Sequence, residues 1–208
     1  MSTLTLFTPS GVVAAAKPVR LAARRLAKLG FDVALDDAAL ARHQRFGGDD
    51  DTRLAALCAQ AGVVLLFVPA FRGTHVSGVA RWLGDRPLIQ LSLLGKWNDI
   101  FWFNFFHEVG HVLKHPKRAV FLDDASSGDA LASNEEQEAN QFAADVLISP
   151  ADRKTLEFVE LTAHSIQVFS QQIDVHPGIV VGALQHMERL SYASPLTRLK
   201  QRYEIRAT

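Results

Sequence analysis

The amino-acid sequence predicts an α+β fold: a short N-terminal βαβα segment, then a domain with a small antiparallel sheet and a bundle of helices. Three observations predict it. Strand-like and helix-like apolar patterns alternate over the first 68 residues. Two strand-like runs joined by a tight turn follow at Val76 to Leu83 and Leu88 to Leu93, a connection too short for a parallel crossover. From Asp99 onward the apolar spacing is helical.

The elements follow in order. Leu4 to Thr8 is a short apolar strand ending in Pro9-Ser10-Gly11, and Lys17 to Leu29 carries a helical stripe at Val19, Ala22, Ala23, Leu26 and Leu29 that stops at Gly30. Phe31 to Leu35 is a second strand. Asp49-Asp50-Asp51-Thr52 supplies caps and favourable charge for a helix bearing Leu54, Leu57 and Cys58 and closed by Gly62. Val63 to Val68 is a continuous apolar strand that completes β-α-β-α-β. After the Gly84-Asp85-Arg86-Pro87 turn, helices are expected over Asp99 to His115, Glu135 to Ile148, Ala163 to Ile173 and Pro177 to His186, the last with proline in its first turn. Lys117 to Ser133, rich in Asp, Ser, Ala and Gly, is expected to be a mobile surface loop.

Composition removes several function classes. The chain has 208 residues, 48% hydrophobic and 21% charged, long enough to hold a core without covalent staples. Lys+Arg 22 balances Asp+Glu 22, which argues against direct nucleic-acid binding or an anionic membrane surface. One cysteine, Cys58, excludes an intrachain disulfide and any site built from several thiolates. With no signal peptide at Met1 and no apolar run long enough to span a bilayer, a cytoplasmic protein is expected. Any metal chemistry must then rest on carboxylates and the eight histidines.

The decisive string is His107-Glu108-Val109-Gly110-His111, inside an otherwise apolar helix. Histidines at i and i+4 project from one helical face and can share one zinc ion, while Glu108 between them can reach a water there as its base. The preceding Ile100-Phe101-Trp102-Phe103-Asn104-Phe105-Phe106 is apolar nearly all round, so the helix should be buried. A buried imidazole wants a partner, and a metal supplies one. Gly110 costs about 1 kcal/mol against Ala in mid-helix, which suggests a close approach by a neighbour. A third protein ligand is needed, with a fourth position left for water. The next helix offers Glu135, Glu136 and Glu138. At about 100° per residue, Glu135 and Glu136 point within about 60° of the face formed by Ala139, Phe142, Ala143 and Val146, whereas Glu138 lies about 100° away. Spacing does not separate the first two, and Ser133-x-x-Glu136 also fits a plain capping box.

Over about residues 60–205 the chain resembles the ImmA/IrrE family of zinc metallopeptidase domains, in particular the version found in some HigA-type antitoxins. The resemblance is carried by FWFNFFHEVGHVLKH, by E-x-x-A-N-x-F-A at Glu136 to Ala143, by LISP at Leu147 to Pro150, and by HPGIVVGALQH at His176 to His186. It implies a zincin-like domain with Zn²⁺ held by His107, His111 and Glu136, Glu108 as general base, and Asn140 supporting the site from one helical turn beyond Glu136. It implies endopeptidase cleavage of a protein such as a transcriptional repressor or toxin-antitoxin component, and the strand preceding the helix could pair with an extended substrate. Antitoxins of that type carry a helix-turn-helix, and residues 1–60 show none.

The first 58 residues resemble instead the N-terminus of LD-carboxypeptidases, through FTPSG at Phe7 to Gly11, KLGFDV, and HQRFGGDDDTRLAAL at His43 to Leu57. That family's catalytic serine lies in a later G-Y-S-D-like turn after a G-G-x-G segment, and neither is present; Ser10 is not that nucleophile. The organisation expected is therefore 1–58, a truncated LD-carboxypeptidase-like segment, and 59–208, an ImmA/IrrE-like domain, joined near a strand that both can use. Two other functions compete with a peptidase: an antitoxin-like interaction module with a vestigial or structural zinc site, and an LD-carboxypeptidase relative without its serine. Among the remaining candidates, His75 and His115 flank the site and read more readily as loop and helix-end residues than as substrate contacts. His176 and His186 read as structural. Tyr192 and Tyr203 are candidate oxyanion donors that nothing in the sequence places near the metal.

Overall fold

The computed structural model describes residues 4–7, 50–68, 76–92, 97–115, 121–124 and 132–207. They form, in order, β1 (Leu4–Phe7), α1 (Asp50–Gln60), β2 (Val64–Val68), β3 (Val76–Leu83), β4 (Arg86–Ser92), α2 (Asn98–Lys114), β5 (Phe121–Asp124), α3 (Ala132–Leu147), α4 (Pro150–Leu156), α5 (Ala163–Gln172), α6 (Pro177–His186), a 3-10 turn (Pro195–Leu199) and β6 (Glu204–Ala207). The helix and strand expected over 17–29 and 31–35 lie outside the described residues. The architecture is α+β. Among the described residues no helix is long and apolar enough to cross a membrane.

The main sheet has the order β2-β4-β3-β5. β3 and β4 form a hairpin whose turn is tighter than the sequence suggests: Arg86 and Pro87 already pair with Leu83 and Trp82, leaving Gly84 and Asp85 at the bend. Gly84 has φ +61°, which glycine adopts without the steric cost a Cβ brings. The expectation of a wholly antiparallel sheet is corrected, because β2 pairs with β4 in parallel, from Val64↔Leu88 to Val68↔Ser92. The hairpin returns β4 between β2 and β3, so β4 runs the same way as β2. A second correction follows. β4, the strand preceding the motif helix, has both edges occupied and offers no free ladder to a substrate peptide. In β2 the apolar run is not buried on both faces either: Leu65 and Phe67 enter the core while Val64 and Leu66, on the other face, are exposed.

The expected loop at 117–133 also contains structure. Phe121–Asp124 pairs antiparallel with β3, with a register shift between Val76 and Val79, and α3 begins already at Ala132. Backbone pairing to an open strand edge forms this strand, a contact that polar local composition does not reveal. Among the described residues β1 pairs antiparallel with β6, from Leu4↔Ala207 to Phe7↔Glu204.

Helix α2 lies at the centre of the packing, against β3, β4, α3 and α6. Phe101, Trp102, Phe105, Phe106, Val109 and Val112 are all buried, which is why the helix is apolar nearly all round. Its first turn is closed by a distant part of the chain. Trp97 at the N-cap gives no side-chain hydrogen bond; instead Asn98 N–H donates to Gln201 O (2.8 Å) and Gln201 N–H donates to Asn98 Oδ1 (3.0 Å). Arg202 pairs with Trp97 and stacks over its ring at 5.1 Å. Trp102 Nε1–H donates to Tyr203 OH at 3.1 Å, and Tyr203 packs edge-on to Phe101. Lys200 Nζ donates to Asp99 Oδ2 at 2.6 Å, with both side chains largely shielded from water.

Removing one partner of a shielded ion pair leaves an uncompensated charge. Lys200→Met is expected to lower the stability by about 3–5 kcal/mol in urea titrations. Burial pushes the Cys58 thiol up to about 12, so iodoacetamide at pH 8 should label it only after unfolding, as read by mass spectrometry.

Candidate metal centre

The close approach of α2 and α3 builds the centre. Gly110 faces the backbone of α3: a Cβ there would lie 3.2 Å from Ala139 Cα and 3.2 Å from Phe142 Cδ1. Ala139 and Ala143, both fully buried, keep the facing side equally thin. The space expected of Gly110 is thus taken by backbone. Small residues on both helices let α3 carry a carboxylate onto the face of α2 that bears His107 and His111, residues one turn apart.

On that face the structure brings three donors together. The Nε2 atoms of His107 and His111 are 2.9 Å apart, with Glu136 Oε2 at 3.1 Å from the first and Glu136 Oε1 at 3.2 Å from the second. The three side chains form a group whose ligand atoms all lie within 4.8 Å of one another. Burial raises the Glu136 carboxyl, but hydrogen bonds from His107 and His111 and their charges outweigh it and hold it down at about 2. It is therefore a carboxylate at neutral pH. The histidines are engaged from behind: His107 Nδ1 donates to Asn140 Oδ1 (2.9 Å), and His111 Nδ1 lies 2.9 Å from His115 Nδ1. With Nδ1 occupied on each ring, both Nε2 atoms and a carboxylate converge, and once the Nε2 atoms give up the protons that face Glu136 the donor set fits a divalent metal ion.

Glu108, on the neighbouring face of α2, is 1% exposed. Its carboxylate lies against Gly78 of β3, where a Cβ would overlap Oε1 and come within 2.8 Å of Cγ and Cδ. Glycine at that position is what lets β3 accommodate the buried acid. Sequence reasoning missed Gly78, although a glycine inside a strand pattern is a signal of close approach.

Residues 100–187 match the model of peptidase family M78, described as the IrrE N-terminal-like domain. The match supports a metallopeptidase-type domain over this stretch, and it includes His107, Glu108, His111, Glu136 and Asn140. No curated protein matches the chain significantly. The first 99 residues lie outside the family match, and most of the 1–58 segment lies outside the described residues.

The other candidates go elsewhere. α3 starts at Ala132, so Ser133 sits inside the helix rather than at its cap, and Glu136 is the acid that reaches the two histidines. Glu138 pairs with His115 instead, Nε2 to Oε2 at 3.5 Å. Tyr203 is buried against Trp102 and Phe101, and Tyr192 is exposed. His176 caps α6, its Nδ1 accepting from Gly178 N–H at 2.9 Å, with burial pushing its pKa down; His186 is exposed at the end of that helix. His75 lies outside the described residues. Filling the gap between the helices tests the packing: Gly110→Leu should cost about 1–3 kcal/mol in chemical denaturation despite the better helix propensity of Leu.

Proposed function

We propose that this chain is a zinc-dependent metallo-endopeptidase, with His107, His111 and Glu136 as ligands and Glu108 as general base. The observation that carries the reading is the convergence of two buried imidazoles and one carboxylate on a helix whose intervening residue is a buried glutamate. A purely structural metal site has no use for an acid between two ligands. The M78 match over the same residues supports the peptidase assignment.

When bound, zinc would polarise the scissile carbonyl and acidify a water. The protein's own groups do the rest. Glu108 takes a proton from the attacking water on its carboxylate and passes it to the nitrogen of the leaving amine. The backing of β3 at Gly78 limits how far that carboxylate can swing away. Asn140 fixes the ring of His107 through its Nδ1 hydrogen bond. Phe103, its ring centroid 6.3 Å from that of His107, shields that side of the imidazole from water.

The substrate class we propose is a protein, such as a transcriptional repressor or a toxin-antitoxin component. The HigA-type antitoxin resemblance, the cytoplasmic location and the absence of direct DNA binding belong to the same reading. The domain division at 58/59, with an LD-carboxypeptidase-like first part that is inert as a carboxypeptidase, is likewise our proposal.

Metal analysis of zinc-replete protein should find about one equivalent of zinc, lost in His107→Ala and Glu136→Ala and retained in Glu108→Gln. Incubation with candidate repressor proteins should give a cleavage product with the wild type that falls about 10²- to 10⁴-fold in Glu108→Gln. A folded wild type without zinc would overturn the assignment. Bound zinc with no Glu108-dependent product would favour the antitoxin-like interaction module.

A further inference from the structure

We propose that His115, itself oriented by Glu138, is the positioning residue that fixes the proton of His111 and so holds His111 ready for the metal. The inference rests on the reading of His107, His111 and Glu136 as ligands and adds two residues that this reading does not use.

α2 continues the His107/His111 face by one more step of four. His115 is the C-cap, and its backbone N–H donates to His111 O (3.2 Å), so the last turn folds its ring back beside His111, with centroids 4.9 Å apart. The ring is buried, yet it lies outside the convergent donor group. Its contact is with the back of His111, Nδ1 to Nδ1 at 2.9 Å.

Two ring nitrogens at that distance hold one proton between them. His111 presents Nε2 to Glu136 and His107, so a ligand there needs its proton on Nδ1. His115 Nδ1 must then be the acceptor, and the proton of His115 sits on Nε2. That atom faces Glu138 Oε2 at 3.5 Å, and a carboxylate oxygen accepts rather than donates. The polarity is consistent along the whole chain: the Glu138 carboxylate faces the Nε2–H of His115 across 3.5 Å and favours the proton there, and His115 Nδ1 accepts from His111. The reverse arrangement, with His115 donating from Nδ1, would put the proton of His111 on Nε2, pointing into the donor group.

The two ligands are thus held by different means. His107 is backed by the Asn140 amide oxygen, an acceptor by nature. His111 is backed by an imidazole, which can donate or accept and needs a carboxylate to set its direction. This gives Glu138 a role although its side chain is 61% exposed and it turns away from the metal donors.

The test measures zinc affinity at fixed pH by competition with a chromophoric chelator. His115→Leu should weaken zinc binding about 10- to 100-fold. His115→Gln, whose amide oxygen can accept from His111 Nδ1–H, should recover most of that loss. Equal affinity in wild type and His115→Leu, or no recovery in His115→Gln, overturns the proposal. A readout on the unaltered protein guards against variants that fail to fold: ¹⁵N NMR of the imidazoles in the zinc-loaded wild type should show His115 protonated at Nε2 and His111 at Nδ1. A proton on His115 Nδ1 overturns the proposal. A wild type that binds no zinc overturns the metal assignment and this inference together, whereas zinc lost in His107→Ala but undiminished in His115→Leu overturns this inference alone.

Discussion

The close contact between α2 and α3 is the constraint on which the centre depends. Neither helix holds a complete donor set: α2 supplies two imidazoles, and the acid comes from 25 positions past His111, across a connection that includes β5. Only a short interaxial distance brings Glu136 within 3.2 Å of both rings. Gly110 against Ala139 sets that distance, at the cost of a glycine in mid-helix. Burial of the large aromatic face of α2 offsets that cost many times over.

The same packing shapes the electrostatics. His107, Glu108 and His111 are consecutive or one turn apart and almost wholly buried, in an environment where unpaired polar groups are costly. Each imidazole is therefore engaged on both nitrogens, and the carboxylate of Glu136 is held down at about 2 by the rings it faces. A cation placed among these groups meets ligands already oriented, so little conformational entropy is lost on binding.

Much of this was legible in the sequence because it is local. The i, i+4 histidines, the apolar helix around them and the glycine that admits a neighbour all follow from helical periodicity. Geometry alone left Glu135 and Glu136 unresolved, since both lie near the buried face of α3; which one meets the two histidines depends on the relative rotation of two helices, a tertiary quantity. His115 read as a helix-end residue, which it is, but its turn back toward His111 comes from the cap conformation. The parallel pairing of β2 with β4 and the strand Phe121–Asp124 were illegible for a related reason: edge pairing is decided by what backbone is available nearby rather than by the side chains of the segment.

The closure of α2 by residues 200–203 sets an order of events in folding. Asn98 and Gln201 are 103 positions apart, and Trp102 and Tyr203 are separated by 101. These contacts carry a large loop-closure entropy and cannot form on a growing chain until almost the whole of the described sequence has been synthesised. The central helix therefore emerges from the ribosome long before its first turn can be capped, although β3 and β4, which pack on it, precede it in the chain. That interval ends only when the Lys200–Tyr203 segment arrives.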